Sequence, residues 1–460
     1  MDRREFITTM ASAAAVTGIA LSGCRPTEQS SDNSTPAAGE PQGEMEYRQS
    51  SKGDKVSLLG YGTMRWPSRP GRFKANENEI DQETVNRLVD EAISKGVNFF
   101  DSSPVYCKGF SEEATGIALS RYPRESYLVS TKLSNFSPST WSYEESVKMY
   151  HESMRKLRVD YLDYYLLHSI GGGEDAMQRF RERYIDNGVL DFLLQEREAG
   201  RIRHLGFSYH GDVRIFDWAM KNHQKYHWDM VLIQMNYVDW HYAKQMNEDN
   251  TNAEYLYSEL EKRHIPAMIM EPLLGGQLAL LPTHATRQLK NLEPERSIAS
   301  WAFRWAGSHT NVMTVLSGMT YMNHLKDNLR TFCQFKPLND DEMQLLEKIA
   351  EEYAHFPLIP CTSCQYCMPC PYGIDIPGNF RLYNSCLNEG LITPNQQDSE
   401  YRKLRWAYLR KLNDKLERER QADHCINCGI CQERCPQHID IPAQMDRINH
   451  YIEELRENVL

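Results

Sequence analysis

From about residue 46 to residue 336, short apolar runs alternate with longer stretches whose apolar residues recur at helical spacing. The runs are Leu58–Gly60, Asn98–Phe100, Tyr127–Thr131, Asp163–Leu167, His204–Phe207, Met230–Gln234, Ala267–Met270 and Val312–Leu316. Runs of this length and character suit strands buried on both faces of a parallel sheet. Between them lie amphipathic stretches such as Asp81–Lys95, Ser142–Leu157 and Ala253–Arg263; Asp81 is placed to cap its helix and Gly96 to stop it. Eight such units predict an α/β fold, a closed (β/α)8 TIM barrel over residues 47–337. A doubly wound sheet is the rival, but no Gly-x-Gly-x-x-Gly opens the first helix. Tyr47–Leu58, turning at Lys52-Gly53-Asp54, reads as a hairpin closing the barrel floor.

After Pro337 the periodicity becomes helical throughout, at Asp340–Tyr353, Phe380–Leu387 and Tyr401–Leu416. Cysteine changes the picture here, because eight of the twelve in the chain fall in two runs. Cys361-x2-Cys364-x2-Cys367-x2-Cys370-Pro371 leads into Ile374-Asp375-Ile376-Pro377, and Cys425-x2-Cys428-x2-Cys431-x3-Cys435-Pro436 leads into Ile439-Asp440-Ile441-Pro442. Three thiolates at this spacing reach three corners of an iron–sulfur cube. In two-cluster ferredoxins the fourth comes from the other run, from the cysteine before proline. One 4Fe–4S cluster is therefore assigned to Cys361, Cys364, Cys367 and Cys435, the other to Cys425, Cys428, Cys431 and Cys370. The first run departs from the ferredoxin pattern, with x2 where x3 is usual. Structural zinc also uses C-x2-C pairs but has no need of the closing proline, and disulfides suit small secreted domains. Asp375 and Asp440 should cap helices with proline in the first turn. Residues 338–460 are thus expected to form an α-helical two-cluster ferredoxin-like domain. Cys107, Cys333 and Cys386 lack partner spacing and read as buried thiols.

Composition adds little: 41% hydrophobic and 25% charged residues are ordinary for a globular chain of 460. A net charge of −11 argues against nucleic acid as a partner. The first residues carry more. Arg3-Arg4-Glu5-Phe6-Ile7 resembles a twin-arginine export signal, and Leu21-Ser22-Gly23-Cys24 resembles a lipoprotein processing site. The expectation is a signal peptide at 1–23, a lipid on Cys24 as the sole membrane attachment, and a Ser/Pro/Gly/Glu-rich tether over 24–46. That places the protein in the cell envelope or periplasm.

In a barrel of this kind chemistry gathers where strands end at the C-terminal face. Asp101, Lys132 and His168 follow three successive predicted strands, and Tyr106 lies on the loop after Asp101. As a proton-transfer set, Lys132 would favour the Tyr106 phenolate and lower its pKa, Asp101 would keep Lys132 charged, and His168 would orient a carbonyl. Gly96-Val97-Asn98-Phe99-Phe100-Asp101-Ser102-Ser103-Pro104-Val105-Tyr106, with Ser111-Glu112, resembles the aldo/keto reductase signature. Ser130-Thr131-Lys132 and Leu166-Leu167-His168 resemble its other two segments, and the cysteine domain points to the family's iron–sulfur branch. The resemblance implies Tyr106 as general acid and hydride delivered from NAD(H) or NADP(H) to a small carbonyl, or taken from an alcohol. It implies nucleotide contacts at Ser208, Gln234, Pro272, Leu273, Gly275, Gly318, Asp327 and Asn328. Cys107 stands where the family has Gly, and Tyr209 where it has Asn. No Lys or Arg occupies Gly318 to Thr320; only His324 is near, which does not favour NADP. In the envelope, where free nucleotide is not expected, any nicotinamide would travel bound to the folded protein or be supplied outside the cytoplasm. Clusters imply one-electron exchange with a redox partner protein or carrier. A non-catalytic electron carrier, and a sugar- or carbonyl-active barrel with merely structural clusters, are the competing readings.

Overall fold

The computed structural model describes residues 43–69, 78–172, 175–247, 249–356, 358–393 and 395–460; the signal and nearly all of the tether read from residues 1–46 lie outside them. An antiparallel hairpin, β1 (Tyr47–Gln49) and β2 (Lys55–Ser57), precedes eight parallel strands. These are β3 (Leu59–Gly62), β4 (Phe99–Asp101), β5 (Leu128–Leu133), β6 (Leu162–Ile170), β7 (Ile202–Tyr209), β8 (Met230–Gln234), β9 (Ala267–Met270) and β10 (Val312–Ser317). They pair in chain order, and β10 closes on β3. This is the (β/α)8 barrel that the alternation predicts, each strand falling on its apolar run, with β6 and β7 extending beyond theirs.

Alternation within strands fills the barrel. Phe99, Leu128, Tyr164, Leu166, Met230, Leu232, Met268 and Met313 pack inside, while the opposite faces join the helices in a larger surrounding core. Each such side chain contributes roughly 1.5–3 kcal/mol relative to exposure. The hairpin does close the floor. Its Asp54 meets His204 Nε2 at 2.5 Å and Arg203 at 2.7 Å, and Lys52 pairs with Asp229 at 3.1 Å. Asp81 accepts from Thr84 N to start the helix Gln82–Ser94, and Gly96 follows it at φ +90°.

The helix Asp340–Ala354 begins with a capping box between Asn339 and Glu342. It buries Leu346, Ile349, Ala350 and Tyr353 in the barrel's own core, with Glu347 receiving His241 Nδ1 at 2.8 Å. A second core starts at Ile359 and gathers Ile376, Phe380, Tyr408 and Met445 from the helices Ile376–Asn388, Tyr401–Lys415 and Ile441–Glu457. Asp375 accepts from Gly378 N at 3.0 Å and Asp440 from Ala443 N at 3.1 Å, each with proline in the first turn.

Candidate active site and cluster cages

β4, β5 and β6 are neighbours, so their ends deliver Asp101, Lys132 and His168 to one spot on the C-terminal face. Lys132 Nζ lies 2.6 Å from Asp101 Oδ2 and donates to Ser102 O at 2.8 Å; the two charged side chains are 0% and 3% exposed. A buried pair this close is favoured only because the remaining lone pairs are also used, and Ser130 Oγ donates to the other Asp101 oxygen at 2.9 Å. Tyr106 places its ring over this pair, 4.9 Å from Lys132 Nζ to the centroid, and edge-on to His168 at 6.0 Å. His168 Nδ1 is held by Ser134 Oγ at 2.5 Å, and Phe136, 41% exposed, leans on its ring at 4.9 Å. The loop carrying Tyr106 runs through Cys107 at φ 49° and Lys108 at φ 57°. Cys107 thus adopts the left-handed conformation that a glycine would take without strain.

The electrostatics correct one expectation. The net shift of Tyr106 is upward: burial raises the phenol well above its ordinary value, and Tyr366, Asp101, Glu271 and Cys364 add to the rise. Lys132 is itself lowered by burial, against the pull of Asp101. His168 is held well below its usual value by burial and by the Lys132 and Arg183 cations, so its ring is neutral. The site stores the proton on Tyr106.

The residues expected to hold a nucleotide are engaged by the chain itself. Ser208 Oγ accepts from Ser169 N at 2.7 Å. Gln234 donates to Asp239 at 2.8 Å and accepts from Gln437 Nε2, of the second cysteine run, at 3.3 Å. Pro272 is buried and Leu273 packs on the core, while Gly275 donates its N–H to Glu271 at 2.5 Å. A Cβ built on Gly275 would stand 2.2 Å from the Thr362 Cα, so the first cysteine run lies directly against that turn. Gly318 is covered by the Arg65 side chain, whose guanidinium donates to Thr362 O at 2.6 Å and Ser363 O at 3.3 Å. Asn328 is spent on Ser317 Oγ at 2.8 Å, and Asp327 accepts from Ser297 Oγ at 2.6 Å. The Tyr209 ring packs tilted against Phe216, its hydroxyl donating to Gly211 O. As arranged, these residues do not fit a bound nicotinamide nucleotide.

The cysteines fit clusters. Cys361, Cys364, Cys367 and Cys435 line one pocket, with Ile376, Phe380 and Ile439 around them. Cys370, Cys425, Cys428 and Cys431 line a second, with Ile374, Ile441 and Met445. Each cage takes its fourth cysteine from the other run, with x2 spacing in the first run no obstacle. Among the described residues no three His, Cys, Asp or Glu side chains converge on the position of a single ion. Four cysteines line each pocket, and a largely apolar lining suits an iron–sulfur cube. Cys333 and Cys386 are buried and Cys107 half-buried, all apart from the cages.

Arg65, Glu271, Thr362, Tyr366 and Gln437 were not marked out by sequence as site residues. Arg65, Thr362, Tyr366 and Gln437 act through the docking of the cysteine module on the barrel mouth, which no local signal announces, whereas Glu271 holds Gly275 N within the barrel itself.

Residues 58–351 match the model of the aldo/keto reductase family, and residues 360–440 match that of a 4Fe-4S dicluster domain. L-galactose dehydrogenase of Arabidopsis thaliana is 23% identical over 314 residues, covering 64% of this chain and 90% of that protein. The NADH-specific methylglyoxal reductase of Escherichia coli is 23% identical over 334 residues, 64% of this chain and 95% of that one. Among solved structures, an aldo-keto reductase from Bacillus halodurans in its holo form superposes with TM-score 0.52 at 21% identity, over 66% of this chain and 96% of that one. One from Klebsiella pneumoniae in complex with NADPH does so with TM-score 0.51 at 18% identity, over 66% and 95%. These two structural likenesses establish the barrel fold.

Proposed function

This chain belongs to the aldo/keto reductase family, as an oxidoreductase that also carries a 4Fe-4S domain. From that premise we propose that it interconverts a small carbonyl compound and its alcohol at Asp101, Tyr106, Lys132 and His168, coupled to electron transfer through two 4Fe–4S clusters. The observation that carries the reading is the buried Lys132–Asp101 pair beneath the Tyr106 ring, with neutral His168 alongside. With Nδ1 engaged by Ser134, His168 has Nε2 left to hydrogen-bond a substrate oxygen. Tyr106 keeps its proton until negative charge develops on that oxygen, then donates it from Oη; the Lys132 cation steadies the phenolate left behind. Asp101 keeps Lys132 in place and charged. Half-exposed Phe136 lies beside the entrance and favours a small, partly apolar substrate over an extended one. Clusters in the two cages would supply one-electron exchange with a redox partner protein or carrier. The twin-arginine-like start and Cys24 support export to the envelope with a lipid anchor.

Tyr106→Phe tests the reaction. Carbonyl reduction should fall by roughly two to four orders of magnitude, with cluster absorbance and thermal stability unchanged, because only a proton donor is lost. Unaltered turnover on any carbonyl that the parent accepts would remove Tyr106 from the role of acid.

A further inference from the structure

Around the C-terminal face, the loops after β7, β8, β9, β10 and β3 form one continuous arc, opposite the arc of β4 to β6 that bears Tyr106 and His168. The cysteine module lies along the first arc. Asn247, after β8, donates to Gln437 O at 2.5 Å, and Gln437, 5% exposed, bonds Gln234. Gln277, after β9, donates to Cys361 O at 3.0 Å and in turn receives the Tyr353 hydroxyl at 2.9 Å. Thr362, 2% exposed, presses its backbone on Gly275, which sits at φ +69°. Arg65 spans from Gly318 to the Thr362 and Ser363 carbonyls. These contacts are part-buried and pair polar atoms of the barrel loops with backbone or side-chain atoms of the module.

We infer that the module is the resident occupant of the groove in which a nicotinamide nucleotide would be expected, so that this barrel does not take NAD(H) or NADP(H). A backbone packed against backbone leaves no room for a pyrophosphate at Gly275, and a nicotinamide amide would have to displace Gln437 from Gln234. On the tetrad side Tyr106 retains some exposure and Phe136 a good deal more, with Tyr366 of the module standing near Tyr106. The inference rests on the reaction proposed above only for its consequence. Carbonyl to alcohol takes up two electrons and two protons. Without a seated hydride donor the electrons come singly from a one-electron carrier of the protein or quinone class, which is oxidised. One proton comes from Tyr106 and the other from solvent.

Titration of NADH and NADPH, separately, into purified cluster-loaded full-length protein reads this directly by nicotinamide fluorescence and calorimetry. Neither should saturate, leaving a dissociation constant weaker than about 1 mM. Saturable micromolar binding of either nucleotide overturns the inference. If that binding also drives Tyr106-dependent carbonyl reduction, the proposed reaction stands in its nucleotide form. A second measurement separates the two ideas further. Dithionite-reduced protein, freed of dithionite, is offered a panel of small aldehydes and ketones without nucleotide, and cluster absorbance is followed. Absent nucleotide binding together with Tyr106-dependent reoxidation upholds both. Absent binding with no reoxidation by any carbonyl upholds the closed groove and fells the reaction.

Discussion

Tyr106 and His168 sit a ring's width apart and are shifted in opposite directions, and both shifts favour the neutral form. Burial raises the phenol and lowers the imidazole, because a charge on either would lose its hydration. The rate of carbonyl reduction should therefore show no acid limb at the ordinary histidine value and no alkaline limb below that of a free phenol. A pH–rate profile checks this; a limb near about pH 6.5 would mean that His168 works as a cation. Stability should behave otherwise. His168, His210 and His309 are all held below 6.5 by burial, the last two at about 4. Unfolded, each takes a proton near its model value, so acid favours the unfolded chain. Stability contributed by the neutral folded forms is complete above 6.5 and is lost as pH falls towards about 4. Thermal midpoints measured across that window should fall steadily. Residue identities at the site were legible in the sequence, since strand-end position and side-chain type are local. The sign of the Tyr106 shift was not. It depends on Tyr366, Cys364 and Glu271, and two of these reach the site only through docking of a segment more than two hundred residues away in the chain.

At the scale of elements, periodicity was enough to place all eight barrel strands and the hairpin at the floor, because a strand covered on both faces has to be apolar. It was less informative for Asp340–Ala354. The chain turns helical there, but the pattern cannot say which core the apolar face joins, and it joins the barrel's. The Asp375 and Asp440 caps were legible for the same local reason as the strands: a short acceptor followed by proline fits one position of a helix start. The two helices they open line both cages, Ile376 and Ile441 touching each. The cages themselves are interlocked, and this gives a sharp expectation. Cys435→Ala should strip the cluster held by Cys361, Cys364 and Cys367, although it lies in the other run. Cys370→Ala should strip the one held by Cys425, Cys428 and Cys431. Either variant should retain about half the iron and sulfide of the parent. In electron paramagnetic resonance, Cys435→Ala should lose the signal that Cys364→Ala loses. If it loses the signal missing in Cys428→Ala instead, each run holds its own cluster and the exchange is wrong.

For the whole molecule, the interlocked cages and the docked module join cluster binding to closure of the barrel mouth. Cys361 and Cys435 line one cage across most of the module, so a cluster bound there would tie its two ends together and add its binding to the folding free energy. The same loops close the barrel mouth through Thr362 and Gln437. A chain threaded unfolded across a membrane would have to acquire both clusters and close this interface afterwards, without the machinery that builds clusters. A finished molecule carried across whole has no such difficulty. That would give a physical reason for the proposed export of the folded protein through the Arg3-Arg4 start, which resembles a signal of that kind, with Cys24 as the proposed lipid site. Replacing Arg3 and Arg4 by Lys should leave cluster-loaded precursor in the cytoplasm. Cys24→Ala should leave the protein without a lipid. Cell fractionation and a labelled fatty acid read the two outcomes separately. Should both variants fractionate and label like the parent, the N-terminus is not an address, and a cytoplasmic carrier would have to be the electron partner.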